Sequence, residues 1–403
     1  MLKNKTVILG ISGSIAAYKM ANVSSLLKKQ HCDVHVIMTE NSINFINPIT
    51  FETLTNNKCL VDTFDRNFQY NVEHVALAKK ADVMLIAPAS ANIIAKLANG
   101  LADDMLTTTA LACTCKKIIA PAMNTNMYQN VIVQKNIQKL KDFGFTVIPP
   151  ETGMLACGDI GTGKMPNENV LIDYALSEIA FDKDMLGLKL LITAGPTQEA
   201  LDPVRYITNH STGKMGYSLA KIAMLRGADV TLVSGKTSLE PPPFVKMVNV
   251  LSAQDMYGAV IEILNEQDIV IKAAAVADYS PVEISSEKIK KSASNMSIQL
   301  NKTTDILKKI GELRGDKQYI CGFSMETENL VQNSKIKLIS KNIDMIIANN
   351  LKDPGAGFGT DTNIVTIITE DKETPLQLMS KDMVSEQILT AILVDRKRKI
   401  SKK

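Results

Sequence analysis

The chain has almost no charge surplus: 45 Lys and Arg stand against 42 Asp and Glu, a formal net charge of +3. So small an excess argues against nucleic acid or a membrane surface as a partner. Much of it lies in the terminal run RKRKISKK, 396–403, which reads as a solvated tail. No apolar run reaches the roughly 18 residues that a membrane span requires. An apolar strand begins within a few residues of the start, so no secretory leader is expected and the protein is expected to be cytoplasmic. Six cysteines lack any framework spacing, which fits a reducing compartment better than disulfides. Cys113 and Cys115 are the one close pair. Set in the apolar stretch LACTCKKIIA with no second ligand pair, they read as packing residues rather than a metal site. The dinucleotide fingerprint and the Walker A loop are both missing, and there are four histidines.

What is present is ordinary globular composition, 45% hydrophobic and 22% charged, over 403 residues. That length exceeds one core and suits two domains of about 200 residues. Apolar strands fit at 6–11, 34–38, 82–87, 117–120 and 145–148, with helices at 14–30, 90–99, 103–112 and 129–143. The alternation starts again in the second half. Strands fit there at 189–194, 229–233, 268–274, 319–323, 343–348 and 364–369, and helices at 214–227, 253–265, 330–341 and 380–395. Near-continuous apolar strands alternating with helices predict an α/β fold: two tandem Rossmann-like three-layer domains with mostly parallel sheets. The segment AFDKDMLGLK, 180–189, reads as the hinge, giving domains 1–182 and 183–403.

The longest polar interruption is GPTQEALDPVRYITNHSTG, between the strand at 190–193 and the helix that starts near Lys214. Strand-to-helix joints in such folds take about 2–6 residues. A loop this long, rich in hydrogen-bonding side chains, is expected to bind something. In the first half Gly10 and Gly13 flank a tight turn, with Ser12 and Ser14 beside them, and a helix N-terminus points at it. Free N–H groups and the helix dipole suit an anion; a glycine turn with a serine N-cap fits equally well. Pro88, Ser90 and Asn92 follow the third strand, where open sheets bind ligands. Asn124 and Asn126 follow the fourth, offering amides to a carboxylate or a ring edge, or capping a helix. His74, on its own, reads as a structural or surface histidine. Cys157 lies in TGMLACGDIGTGKMP, whose glycines suggest a mobile flap; its thiol is either a proton donor or nucleophile, or incidental.

In the second half Lys288, Lys290 and Lys291 form one basic group. Lys337 and Lys341 form another, at i,i+4 on one helix face. Without context either is a solvated surface. Asp278 comes after the strand IVIKAAAVA at the ligand-facing end, or caps the next segment. Phe323 in GFSMET is by itself a core aromatic. DPGAGFGTDTN, 353–363, reads as a flexible loop near the site.

The order of GISGSIAAYK, His74-Val75, APASAN, PAMNTNMY and GMLACG resembles the FMN-dependent cysteine decarboxylase flavoproteins. AGPTQEALDPVRYITNHSTGKMG, AAAVADY and EKIKK resemble phosphopantothenate–cysteine ligase. Together they cover nearly the whole chain and are similar to the bifunctional decarboxylase–ligase family of coenzyme A synthesis. For the first half the resemblance implies an FMN-dependent decarboxylation: transient oxidation of the cysteine thiol end supplies the electron sink that carboxylate loss needs. It implies His74 as general base, Asn124 as holder of the departing carboxylate and Cys157 as proton donor. Gly10, Ser12, Gly13, Ser14, Thr39 and Ser90 are the implied FMN contacts. For the second half it implies CTP and Mg2+, an acyl-cytidylate, and a reacting-end role for Asn209. CTP contacts would be Ala274, Asp278, Lys288, Thr304, Asp305, Ile306, Leu307, Phe323, Lys337 and Lys341, with Asp278 a candidate metal contact. Trimeric flavin domains and dimeric ligase domains, combined into a dodecamer, are implied as well.

Two departures stand out: Tyr128 replaces the tryptophan frequent in PxMNxxMW, and Lys164 replaces a common arginine. A flavin-binding regulatory protein and a peptide cysteine decarboxylase are the competing readings. The presence of His74, Asn124 and Cys157 argues against the first, and the attached ligase half against the second.

Overall fold

The computed structural model describes residues 2–63, 73–156, 158–290, 296–326, 330–350, 357 and 359–401. Its contacts divide the chain into two units, Met1–Asp182 and Lys183–Lys403.

The first unit is built on five parallel strands: β1 (Thr6–Ile11), β2 (Asp33–Met38), β3 (Val83–Ala89), β4 (Lys116–Pro121) and β5 (Thr146–Val147), in the spatial order β2-β1-β3-β4-β5. Every residue of β1 and β3 is buried, because helices cover both faces of the sheet. Helices Lys19–Lys29 and Glu168–Ile179 pack against each other on one face. On the other, Ile93, Ile94, Leu106, Ile137 and Leu140 from helices Ala91–Asn99, Met105–Ala112 and Val131–Asp142 join Ile8, Met84, Ile86 and Ile119 of the strands in one core. Helix Ala91–Asn99 is bounded by a Ser90 N-cap and by Gly100 at φ 69°. Burying a side chain such as Ile94 contributes roughly 1.5–3 kcal/mol; truncating it to Ala would cost about 2–5. A hairpin, β6 (Glu151–Met154) and β7 (Ile160–Lys164), comes after the sheet. Cys113 sits in the core and Cys115 packs against it, so the pair is packing, as its apolar setting suggested.

The second unit has an eight-stranded sheet. It uses β8 (Lys189–Ala194), β11 (Asp229–Ser234), β12 (Lys246–Asn249), β13 (Ile269–Lys272), β16 (Tyr319–Glu326), β17 (Met345–Asn350), β19 (Val365–Thr369) and β20 (Glu373–Pro375). The remaining strands form small hairpins: β9 (Gln198–Ala200) with β10 (Tyr206–Thr208), β14 (Tyr279–Pro281) with β15 (Leu300–Lys302), and β18 (Thr362–Asn363) with β21 (Met379–Ser380). The large sheet runs β12-β11-β8-β13-β16-β17-β19-β20, parallel as far as β17 and antiparallel beyond. Numbered from its own first strand, the parallel part is 3-2-1-4-5-6, the doubly wound dinucleotide-fold order. Helices Ala253–Ile263, Ile306–Leu313 and Leu330–Ser340 cover one face, burying Met256, Val260, Ile306, Leu307, Ile310 and Leu338. Helices Lys214–Leu225 and Lys381–Ser401 pack together on the other.

Each expected strand is found with its ends shifted by three residues at most, the largest shift being at β16, and the small hairpin strands, β12 and β20 are additional to those expected. Three expectations change. The loop at 195–213 is partly ordered as the β9–β10 hairpin. The first turn of the expected helix at 14–30 is 3-10, Ile15–Tyr18. The basic tail is no free tail: helix Lys381–Ser401 carries Arg396 to Asp268 at 3.1 Å, Arg398 to Asp371 at 2.6 Å and Lys399 to Asp344 at 2.8 Å.

The amino ends of the strands share one device. Asp82 accepts the Thr6 amide at 2.7 Å, Asp268 the Lys189 amide at 3.0 Å, and Asp344 the Ile320 amide at 2.8 Å. Each carboxylate precedes one strand and holds the start of its neighbour. Cations complete it: Lys5 on Asp82, Arg396 on Asp268, and Arg314 with Lys399 on Asp344.

Candidate functional site

In the first unit the winding reverses between β1 and β3, so a crevice opens outside their carboxyl ends. Ser12, Gly13, Ser14, Thr39 and Ser90 all lie just beyond the ends of β1, β2 and β3. Ser12, 2% exposed, donates its hydroxyl to the Pro88 carbonyl at 2.7 Å and accepts the Ser90 amide at 2.9 Å. It therefore ties the two loops together across the crevice. Ser14 caps the first turn by accepting the Ala16 amide at 3.4 Å, and Ser90 caps helix Ala91–Asn99. A side chain at Gly13 would press on Asn41, so this glycine lets the loops after β1 and β2 approach. Thr39 Oγ1 is buried with no hydrogen-bond partner. Such a hydroxyl costs about 1–3 kcal/mol unless something satisfies it, which fits a ligand edge. Gly10 differs: a Cβ there would stand 2.5 Å from Leu106 Cδ1, so its reason is core packing beneath the crevice.

Asn124 follows β4 at the same edge and caps the short helix Thr125–Gln129, accepting the Asn126 amide at 2.9 Å. Helix entry capped by Asn is thus observed, and a carboxylate would be met by the amide end. Tyr128 packs partly buried against the core. The β6–β7 hairpin lies directly on this loop: Met123 donates its amide to the Gly163 carbonyl at 3.0 Å, and side chains at Gly161 or Gly163 would strike Thr125 or Met123. Lys164 is exposed on β7. Cys157, between the two strands, lies outside the described residues. His74 occupies the first turn of helix Glu73–Lys80, partly buried. That helix leads into the amino end of β3, so its own start faces the carboxyl edge.

The second unit's reversal falls between β8 and β13, and there the structure has a cavity of about 370 Å3. Asn209, Ala274 and Phe323 line it together, with Lys214, Asn349 and Lys381. Asn209 donates to the Ala275 carbonyl at 3.1 Å. Thr193 and Thr197 hydroxyls accept the Ala274 and Ala277 amides at 3.1 and 3.0 Å, fixing the loop after β13. Helix Lys214–Leu225 starts at this cavity from Gly213, at φ 79°, with no side-chain cap, so its first amides and dipole face the opening. Gly216 lets the helix press on β8: a Cβ would lie 2.5 Å from that of Ala194. Phe323 turns into the cavity rather than the core.

Beside the cavity stands a charged group. Lys337 donates to Ser324 at 3.1 Å, and Ser324 lines the cavity. Lys341, one residue past helix Leu330–Ser340, pairs with Asp305 at 2.8 Å. Asp305 also caps helix Ile306–Leu313 through the Lys308 amide at 3.0 Å. Burial opposes ionisation of Asp305, but the Lys341 and Lys308 hydrogen bonds outweigh it and hold the carboxyl below its usual range. Thr304 is exposed at this helix start, whereas Ile306 and Leu307 are buried in the core, so they can offer a ligand only backbone. Asp278 is exposed six residues past the end of β13, immediately before β14, and is not among the cavity's lining residues. Lys288 is not among the cavity's lining residues. Its segment is anchored elsewhere: Ile289 donates to Asp202 at 3.2 Å and its carbonyl accepts from Arg205 at 2.7 Å. Lys290 is exposed there, and Lys291 lies outside the described residues. No group of three His, Cys, Asp or Glu suited to a metal occurs among the described residues.

Lys214, Asn349, Lys381, Thr193 and Thr197 escaped the sequence reading. Lys214 had a signal, being inside the long loop's STGKMG; Lys381 arrives from the last helix, 167 positions further on (381 − 214), with no local sign of its destination. Asn349 Oδ1 is buried without a hydrogen-bond partner.

Residues 1–180 match the family described as Flavoprotein, and residues 185–394 match the DNA/pantothenate metabolism flavoprotein C-terminal domain. The chain is 45% identical over 396 residues to the coenzyme A biosynthesis bifunctional protein CoaBC of Bacillus subtilis, covering 97% of each chain. It is 39% identical over 395 residues to the Escherichia coli protein of that name, again covering 97% of each. Among solved structures it is similar to the C-terminal domain of a coenzyme A biosynthesis bifunctional protein CoaBC, with 44% identity, 52% of this chain, 95% of that one and a TM-score of 0.44. It is also similar to the FMN-dependent cysteine decarboxylase SpaF, with 31% identity, 43% of this chain, 99% of that one and a TM-score of 0.38.

Proposed function

That the chain belongs to the family of coenzyme A biosynthesis bifunctional proteins is the premise from which we propose roles for the residues of both halves. The protein is a bifunctional enzyme of coenzyme A biosynthesis, a flavoprotein decarboxylase and a ligase on one chain. The observation that carries this is 45% identity running through 97% of both chains, so that each half has its counterpart.

The second half, 183–403, joins 4′-phosphopantothenate to L-cysteine. The carboxylate attacks the α-phosphate of CTP and pyrophosphate leaves; the cysteine amine then displaces CMP from the acyl-cytidylate. Such transfers depend on positioning and charge neutralisation. Asn209 holds the acyl end, Ala274 lets the backbone approach the nucleotide closely, and Phe323 packs beside the nucleotide. Lys288, Lys337, Lys341, Asp278, Thr304, Asp305 and the backbone of Ile306 and Leu307 serve CTP. Mg2+ is carried mainly on the phosphates, as this ion prefers, with Asp278 as its candidate protein contact.

The first half, 1–182, decarboxylates the resulting 4′-phosphopantothenoylcysteine to 4′-phosphopantetheine. Flavin mononucleotide, when bound, supplies reversible two-electron oxidation of the thiol end. Ser12, Gly13, Ser14, Thr39 and Ser90 hold it at the β1–β3 crevice, supported by the unsatisfied Thr39 hydroxyl. Gly10 serves beneath them as a packing residue. His74 takes the thiol proton, Asn124 holds the carboxylate, and Cys157 returns a proton to the product. The subunits assemble through trimeric flavin domains and dimeric ligase domains into a dodecamer.

The test is mass spectrometry of products after incubating the protein with FMN, 4′-phosphopantothenate, L-cysteine, CTP and Mg2+. 4′-Phosphopantetheine is expected. Accumulated 4′-phosphopantothenoylcysteine would remove the decarboxylase assignment, and no product would remove both.

A further inference from the structure

We infer that Lys272 is a further ligand for the nucleotide's triphosphate, a third ammonium beside Lys337 and Lys341. The inference rests on the reading of the second half as a CTP-dependent ligase. Lys272 is the one polar residue in the nine-residue run IVIKAAAVA. It ends β13, a central parallel strand, at the edge where the cavity opens. By strand alternation it shares a sheet face with Val270 and Ala274, both members of the core beneath helices Ile306–Leu313 and Leu330–Ser340. An apolar residue would fill that position without electrostatic cost.

Its ammonium instead donates to the Ala274 carbonyl at 3.0 Å, and it makes no ion pair among the described residues. Lys96, by contrast, is answered by carboxylates, Asp103 at 2.7 Å and Asp104 at 3.0 Å. The charged groups within electrostatic reach of Lys272 are Lys341 and Lys337 from the end of helix Leu330–Ser340, Asp305 at the cap of helix Ile306–Leu313, and Asp278 after β13. Burial, and then the like charge of Lys341, push its pKa down to about 8 against the pull of the two carboxylates. A partly buried ammonium without a counter-ion is costly. A polyphosphate entering the cavity removes the cost by supplying the missing negative charge. Asp305 is already engaged by Lys341, which leaves Lys272 to the incoming anion.

The experiment is equilibrium binding of CTP, CDP and CMP, each with Mg2+, to the full-length protein and to K272M and K272R. In K272M the affinity for CTP should fall about tenfold or more, that for CDP less and that for CMP by under about twofold, the scale of one lost charge-assisted contact. K272R should recover most of the CTP affinity. In ligation K272M should raise KM for CTP while kcat at saturating CTP changes by under about threefold. The dependence on pH has a definite sign: below about 8 the ammonium is charged and ready. Above it, wild-type CTP affinity should fall by up to about tenfold per pH unit, because binding then requires proton uptake; K272M should lose that slope.

Unchanged CTP binding by K272M, or equal losses for CTP, CDP and CMP, would overturn the inference. If K272M fails to fold, K272Q and the wild-type pH slope decide, and a flat slope overturns it. Wild-type protein that binds no CTP would sink the ligase reading itself. CTP binding weakened by Lys341→Ala but untouched by K272M would sink the inference alone.

Discussion

The two halves put their candidate sites in the same place and furnish them oppositely. Both use the crevice at the carboxyl ends of parallel strands, where the winding reverses. In the first half the residues proposed for the flavin are Ser, Thr and Gly, and no charged side chain is among them. In the second, five lysines stand at or beside the cavity: Lys214 and Lys381 in its lining, Lys272, Lys337 and Lys341 beside it. A phosphate bound once and retained is met by amides and hydroxyls. In the roles proposed above, a triphosphate that must bind, react and leave as pyrophosphate is met by the point charges of lysines. One scaffold thus carries two chemistries by changing loops, not layers.

The sharpest way to break this comparison is to disable one half. Cys157→Ser should stall the first half at an oxidised intermediate, lowering 4′-phosphopantetheine formation by about 100-fold or more, within the range of a lost proton donor. Accumulation of that species by mass spectrometry checks it, and normal turnover would remove Cys157 from the mechanism. Asn209→Ala should lower ligation by roughly 10–100-fold, the loss of one hydrogen bond to a charged group, while decarboxylation of supplied 4′-phosphopantothenoylcysteine persists. Equal loss of both activities in a folded variant would argue against separate sites.

Smaller effects sharpen it. Thr39→Val should weaken flavin retention by about fivefold, near 1 kcal/mol, read from flavin absorbance after dialysis. A variant that holds flavin as tightly as wild type would assign Thr39 to the fold alone. Raising salt from about 0.05 to 0.3 M should raise KM for CTP by about two- to threefold while leaving the decarboxylation KM nearly unchanged, because only one site relies on point charges.

Much of this was legible in the chain. Strands with burial on both faces, such as TVILGI and VMLIAPA, announce a covered parallel sheet. Helix Ile306–Leu313 was missed although Asp305 caps it and Ile306, Leu307 and Ile310 recur at helical spacing; its eight residues give the period little room. Helix Glu168–Ile179 was missed beside the glycine-rich segment that drew attention to itself. Phe323 could not be told from core by sequence, since exposure into a cavity depends on which neighbours leave space. The meeting of Lys214 with Asp361 at 2.7 Å, and of Lys381 with the Gly357 carbonyl at 3.2 Å, joins segments far apart in the chain. Nothing local encodes such a meeting. Lys272 was readable as an oddity, a charge inside an apolar run, but its neighbours Lys341 and Asp305 were not.

Asp82, Asp268 and Asp344 hold the opposite edge of the sheets, and the helix Lys381–Ser401 reaches back to two of them. The far edge is therefore a place to adjust durability without disturbing turnover. A fusion or truncation that begins before Arg396 would loosen the seams between β8 and β13 and between β16 and β17. One attached beyond Ser401 would leave them closed. Helix Lys381–Ser401 thus behaves as a fastener for strand starts that lie 55 to 128 positions earlier in the chain.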